Sequence, residues 1–174
     1  MLLSVAFVGL MASTVASTPL KYKIPASMKV SADCTMPSEY TVSDFSAFTD
    51  RSNQTTVSFV YVDKDTGINT RCERNQTSKP HNTNPSLASR YACDDANVEF
   101  IYQTTGVAGL TVIEAACPES GSSAFEASSL VPFNQTCGST SKRRNCTSNP
   151  SDITNEFTSL EPRPAGAKAH VSVF

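Results

Sequence analysis

The strongest constraint on this chain is its six cysteines, Cys34, Cys72, Cys93, Cys117, Cys137 and Cys146. An even set spread along a short exported chain reads as a disulfide framework, and six cysteines allow fifteen pairings. Zinc would require tight ligand pairs of the C-x₂₋₄-C kind. The closest two cysteines here are Cys137 and Cys146, so no metal and no cofactor is expected. His81 stands between Pro80 and Asn82 in the polar stretch that separates Cys72 from Cys93, and it reads as a solvated loop histidine. Among the fifteen pairings, Cys72–Cys93 and Cys137–Cys146 are preferred, and Cys34–Cys117 follows by elimination. Closing the Cys72–Cys93 loop removes on the order of 3 kcal/mol of unfolded-chain entropy. That matters where the intervening segment has little apolar surface to bury.

The start of the chain agrees with an oxidising compartment. An apolar run at 2–12 is followed by Ser13, Thr14, Val15, Ala16 and Ser17, the form of a secretory signal peptide over 1–17. The run is too short for a membrane span, which needs roughly 18–20 apolar residues. Four sequons, Asn53, Asn75, Asn134 and Asn145, predict surface glycosylation, whereas Asn84 and Asn149 are blocked by the proline that follows each. A net charge of −2 gives no reason to expect nucleic-acid or membrane binding. Only 17% of residues are charged and there is no Trp, so hydroxyls and amides make much of the surface. The expectation is a secreted, extracellular glycoprotein.

The remaining length suits one domain. Residues 18–33 read as an irregular lead-in punctuated by Pro19 and Pro25. Strand patterns follow at 40–48, 55–63, 68–74, 97–103, 110–117 and 125–131, with a last one at 153–160. In the clearest, Val57, Phe59 and Tyr61 share one face, while Val60 and Val62 make the other partly apolar. No segment sustains a 3.6-residue apolar period. The predicted fold is all-β, a compact antiparallel β-barrel or β-sandwich over 34–160, with a flexible tail over 161–174. Segments 73–92 and 132–150 read as the variable loops.

Candidate chemistry is sparse. Asp63-Lys64-Asp65-Thr66-Gly67 has a calcium-loop flavour, but its twelfth position is Arg74, so it reads as a hairpin turn. His81 and His170 are the two histidines, and Gly121-Ser122-Ser123 is not a nucleophile elbow. Glu99, Glu114 and Glu126 lie on candidate strands, where a glycosidase would hold its two carboxyls. Without Trp platforms for sugar rings, they read as solvent-facing strand glutamates. No catalytic residue is assigned. Lys142-Arg143-Arg144 reads as a solvated charge cluster; a processing cut there would leave the halves tied through Cys137–Cys146.

The order of features resembles a known family. Cys34 precedes a Y-x-V-x-x-F strand (Tyr40, Val42, Phe45), then come V-S-F-x-x-x-D from Val57 to Asp63 and Thr70-Arg71-Cys72. A variable loop leads to R-Y-A-C ending at Cys93, followed by V-x-F and L-T-V strands and a late cysteine pair. Over roughly 34–160 this resembles the family of the major Alternaria allergen, small secreted fungal proteins that include plant-defence elicitors. The resemblance implies a compact antiparallel β-fold with disulfides at Cys72–Cys93 and Cys137–Cys146. In the family's best-known member the cysteine matching Cys34 links two subunits. Here Cys117 offers it a partner within the chain, so monomer and homodimer both stay open. The four sequons and the long 73–92 loop are further departures.

What the resemblance implies for function is an effector, elicitor or allergen-like virulence protein without catalysis. It would bind host extracellular or defence proteins, or a small ligand. The rival expectations are a secreted cell-wall hydrolase and a structural cell-wall or spore-surface protein.

Overall fold

Buried and exposed side chains alternate along most of the predicted strands, and that alternation builds two sheets. The computed structural model describes residues 19–32, 34–82, 86–106, 108–117, 125–140 and 143–163. The signal-peptide reading, His170 and Gly121-Ser122-Ser123 fall outside these residues. The first sheet comprises β1 (Glu39–Thr49), β2 (Thr55–Asp63), β3 (Ile68–Arg74), β8 (Asn134–Thr140), β9 (Arg143–Asn149) and β10 (Ile153–Glu156). Its order is β3-β2-β1-β9-β8, with β10 also paired to β1. The second comprises β4 (Tyr91–Ala92), β5 (Val98–Gln103), β6 (Gly109–Ala116), β7 (Phe125–Leu130) and β11 (Ser159–Pro162), in the order β11-β7-β6-β5-β4. Every pairing is antiparallel. Among the described residues no ladder joins the two sheets, so the fold is a sandwich and not a closed barrel.

β1 organises the first sheet because it bends. Its register with β2 slips between Ser43 and Ser46, where Asp44 adopts a positive φ of 54°. A bulge of this kind kinks a strand and sharpens its twist. The half before the bulge pairs with β10 (Val42 opposite Ile153), and the half after it pairs with β9 (Ala47 opposite Cys146).

The inward faces meet in an aromatic core. Phe59 of β2 meets Phe100 of β5 edge-to-face at 5.1 Å, and Tyr40 packs on Phe157 at 4.8 Å. The Tyr40 hydroxyl bonds Ser129 Oγ of β7 at 2.6 Å, which satisfies its polar end inside the sandwich. Each such fully buried aromatic contributes about 2–3 kcal/mol. On the outer face of β2, Val60 and Val62 are half-buried, short of full coverage.

Three disulfides tie the assembly: Cys34–Cys117, Cys72–Cys93 and Cys137–Cys146. Cys72 on β3 and Cys93 just after β4 join the edges of the two sheets. Cys34–Cys117 anchors the lead-in to the end of β6. Cys137 and Cys146 face each other across the β8–β9 hairpin.

Several sequence expectations change. Segment 132–150 is not a loop: it forms the β8–β9 hairpin. Its polar sequence shows no apolar alternation, and its strands are held by the ladder to β1 and by a cross-strand disulfide. The single strand expected at 153–160 divides into β10 and β11, separated by Phe157, whose side chain turns fully into the core. The tail begins later than expected, since Glu161 and Pro162 lie in β11 and Arg163 makes ion pairs. Residues 164–174 lie outside the described set.

Candidate functional site

The three glutamates set aside as solvent-facing are all withdrawn from solvent. Leu110, Val112 and Glu114 share the inward face of β6, so Glu114 enters the core and is 0% exposed. The Tyr61 hydroxyl, from the opposite sheet, donates to Glu114 Oε2. Asp63, also 0% exposed, spends Oδ1 on the amides of Asp65 (2.8 Å) and Thr66 (3.1 Å), the bonds that shape the β2–β3 hairpin turn. The segment read as a turn is therefore a turn, closed by Gly67 at φ +74°. Glu114 Oε1, Asp63 Oδ2 and Thr66 Oγ1 remain buried without a hydrogen-bond partner. Burial, then the Asp63 charge, pushes the Glu114 carboxyl up to about 8, with the Tyr61 bond opposing. Burial likewise raises Asp63 and the Tyr61 hydroxyl.

Glu99 and Glu126 point the other way, onto the outer face of the second sheet, and a buried ion cluster covers them. Arg90 Nε lies 2.9 Å from Glu99 Oε2 as a charge contact, and Arg90 Nη2 donates to Glu126 Oε2 at 2.8 Å. Arg163 Nη2 reaches Glu99 Oε1 at 3.3 Å. His81, expected in solvent, sits with Nδ1 2.6 Å from the same Oε1. The His81 amide donates to the Arg90 carbonyl at 2.7 Å, and Asn82 Oδ1 accepts the Arg90 amide at 2.9 Å. His81 and Arg90 thus lie against the sheet, whose outer-face residues Ile113 and Ala115 are buried. The front of the 73–92 segment, around the exposed Asn75, keeps the character of a variable loop.

Open concave surface lies instead at one end of the sandwich. A groove of about 570 Å³ runs between the β5–β6 turn, the β7–β8 connection and the β8–β9 hairpin. Tyr102, Leu130 and Phe133 give it apolar walls, and Gln135 and Arg144 supply polar groups. Leu130 is 46% exposed and presents its aliphatic side chain to the groove. Phe133 is held in place by packing on Phe45 at 4.7 Å. A second cleft of about 460 Å³ adjoins the first through Thr104 and Arg144. Of the residues lining the two hollows, the sequence drew notice to Arg143 and Arg144 as a charge cluster, to Asn53 and Asn134 as sequons, and to 132–150 as a variable segment. The others come together from four separate connections, so no local pattern reports them.

The hairpin that walls the groove depends on its staple. The Cys137→Ser/Cys146→Ser variant is expected to lose about 2.5 kcal/mol in chemical denaturation, from the short loop that the bond closes. Unchanged stability would mean that the ladder alone holds the hairpin. The four sequon asparagines, Asn53, Asn75, Asn134 and Asn145, are all exposed, as attachment of a glycan requires. Among the described residues no helix is long and apolar enough to cross a membrane. No protein-family model matches the sequence, and no curated protein matches it.

Proposed function

We propose that this chain is a secreted fungal effector or elicitor of the allergen-like type, acting by non-covalent recognition at the groove end of the sandwich. Its partners are host extracellular proteins or a small ligand. The observation that carries this reading is the groove itself, about 570 Å³ with apolar walls, built on disulfide-tied strands and left open. Three disulfides and four exposed sequon asparagines support an extracellular setting. The candidate carboxyls support recognition over hydrolysis. Glu114 and Asp63 sit inside the core, and Glu99 and Glu126 are held by Arg90 and Arg163, so neither pair faces a surface that a polymer could reach.

The test is leaf infiltration with purified protein. Leu130→Glu/Arg144→Glu alters two exposed groove residues and is expected to abolish the host response without changing the melting temperature. A variant as active as the parent would overturn the groove reading. Tight retention of the parent in the cell-wall fraction, with no leaf response, would favour the structural alternative.

A further inference from the structure

The second cleft has a chemistry of its own. Arg51, Arg143 and Arg144 line it, together with the hydroxyls of Thr49, Thr55 and Thr140. Asp50 is its one lining carboxylate. That group is committed: Oδ1 accepts the Ser52 and Gln54 amides at 2.8 and 3.0 Å, and Oδ2 accepts Gln76 Nε2 at 3.2 Å. The chain has seven arginines and a net charge of −2, yet three of them converge here. Arg71, Arg90 and Arg163 form ion pairs elsewhere, and Arg74 lies over the Tyr91 and Tyr102 rings. Among the described residues none of the three cleft arginines forms an ion pair. Arg144 Nη2 rests 3.3 Å from Cys137 Sγ of the hairpin's disulfide, and the Arg143 guanidinium lies 5.9 Å from the Phe48 ring of β1.

We infer that this cleft binds an acidic oligosaccharide, one carrying carboxylates on sugar rings, with the chain continuing into the neighbouring groove. A guanidinium presents a planar fork of donors that matches a carboxylate with two parallel bonds. The hydroxyls between the arginines exchange hydrogen bonds with sugar hydroxyls. Beyond Thr104 and Arg144, the faces of Leu130 and Phe133 suit the C–H faces of sugar rings. A phosphate polymer is the poorer fit. Its binding draws on many cations spread along a backbone, whereas here three arginines without an ion pair meet in one hydroxyl-lined cleft of an acidic protein. Asn53 lines this cleft and Asn134 the adjoining groove, so a glycan on either would stand close to the bound oligosaccharide.

The inference rests on the recognition reading above and names a ligand class for it. The experiment is calorimetric titration of the full secreted protein, before and after enzymatic trimming of its N-glycans. The probes are a hexameric oligouronate, its methyl ester and a polyphosphate of equal charge. Saturable binding of the oligouronate is expected, at least tenfold tighter than for either other probe and falling as salt rises. Arg51→Gln/Arg144→Gln, with an unchanged melting temperature, is expected to weaken it at least tenfold. Trimming is expected to leave the affinity equal or higher. Equal affinity for acid and ester, equal affinity for polyphosphate, an unaffected double variant, loss of binding on trimming, or no saturable binding would each overturn the assignment. If the oligouronate fails while Leu130→Glu/Arg144→Glu still abolishes the leaf response, the ligand class falls and the recognition reading stands. If both fail, both readings fall.

Discussion

The folded protein is expected to be markedly more stable at pH 4.5 than at pH 8.5, the reverse of what most domains with ion-paired carboxylates show. The cause is Glu114. Its ordinary value of 4.5 is carried up to about 8 by burial and by the like charges of Asp63 and Asp95. Between these values the folded state keeps a proton that the unfolded chain has released. Unfolding therefore releases a proton, and stability falls as pH rises. The contribution is complete below about 4.5 and lost as pH passes through about 8. Asp63, raised by the same burial, acts in the same direction. The geometry agrees: Glu114 Oε1, Thr66 Oγ1 and Asp63 Oδ2 stand buried without partners, and a proton on Glu114 adds a donor beside acceptors. The loss across the window is on the order of 4 kcal/mol, a large part of the 5–15 kcal/mol typical of a domain. Urea midpoints measured at half-unit pH steps would show it. Glu114→Gln keeps the shape and an acceptor for Tyr61 but cannot ionise, so its profile should be nearly flat over the same range. A wild-type curve that is flat or rises toward pH 8.5, or a glutamine variant with the parental slope, would refute this account.

Arg90→Met should destabilise the protein by about 3–5 kcal/mol, because it removes the closer of the two arginines that neutralise each of two buried carboxylates. Arg90 is 5% exposed and bridges Glu99 to Glu126, and so joins β5 to β7. Methionine preserves much of the stem's packing, so the loss reports the missing charge and not a cavity. A second consequence separates this role from simple packing. With the clamp gone, the amides of His81 and Arg90 should exchange with deuterium much faster, while the core strands β2 and β6 keep their protection. Adding Glu99→Gln/Glu126→Gln should recover part of the stability, since no buried carboxylate is then left unpaired and only Arg163, 12% exposed, loses its ion-pair partners. A cost below about 1 kcal/mol for Arg90→Met, or no recovery in the triple variant, would show that water already neutralises the cluster.

These buried acids show how far local pattern carries. The two-residue alternation that put Val57, Phe59 and Tyr61 on one face also puts Glu114 on the face of Leu110 and Val112. That parity was the available sign that Glu114 points inward. Charge outweighed it, because an ionised carboxyl in a core is so unfavourable. A neighbouring tyrosine and a retained proton are what make it tolerable, and neither is adjacent in sequence. Glu99 had no comparable sign. Its alternation places it on the outer face, as expected, and only His81, Arg90 and Arg163, brought over it by the folded chain, turn that face into an interior.

By itself the sequence determined the all-β character, the positions of most strands and the cysteine framework. Each depends on short-range chemistry: alternation, turn residues and spacing. Tertiary structure alone decided that the sheets stay open as a sandwich, because closure depends on which edges meet, and here those edges are joined by Cys72–Cys93 and not by a ladder. It decided that polar segments 134–140 and 143–149 become strands, because 143–149 pairs with β1, about a hundred residues earlier in the chain, and 134–140 pairs in turn with 143–149. It decided the groove and the basic cleft as well. Their walls come from turns that lie far apart in the chain and meet only when both sheets have formed.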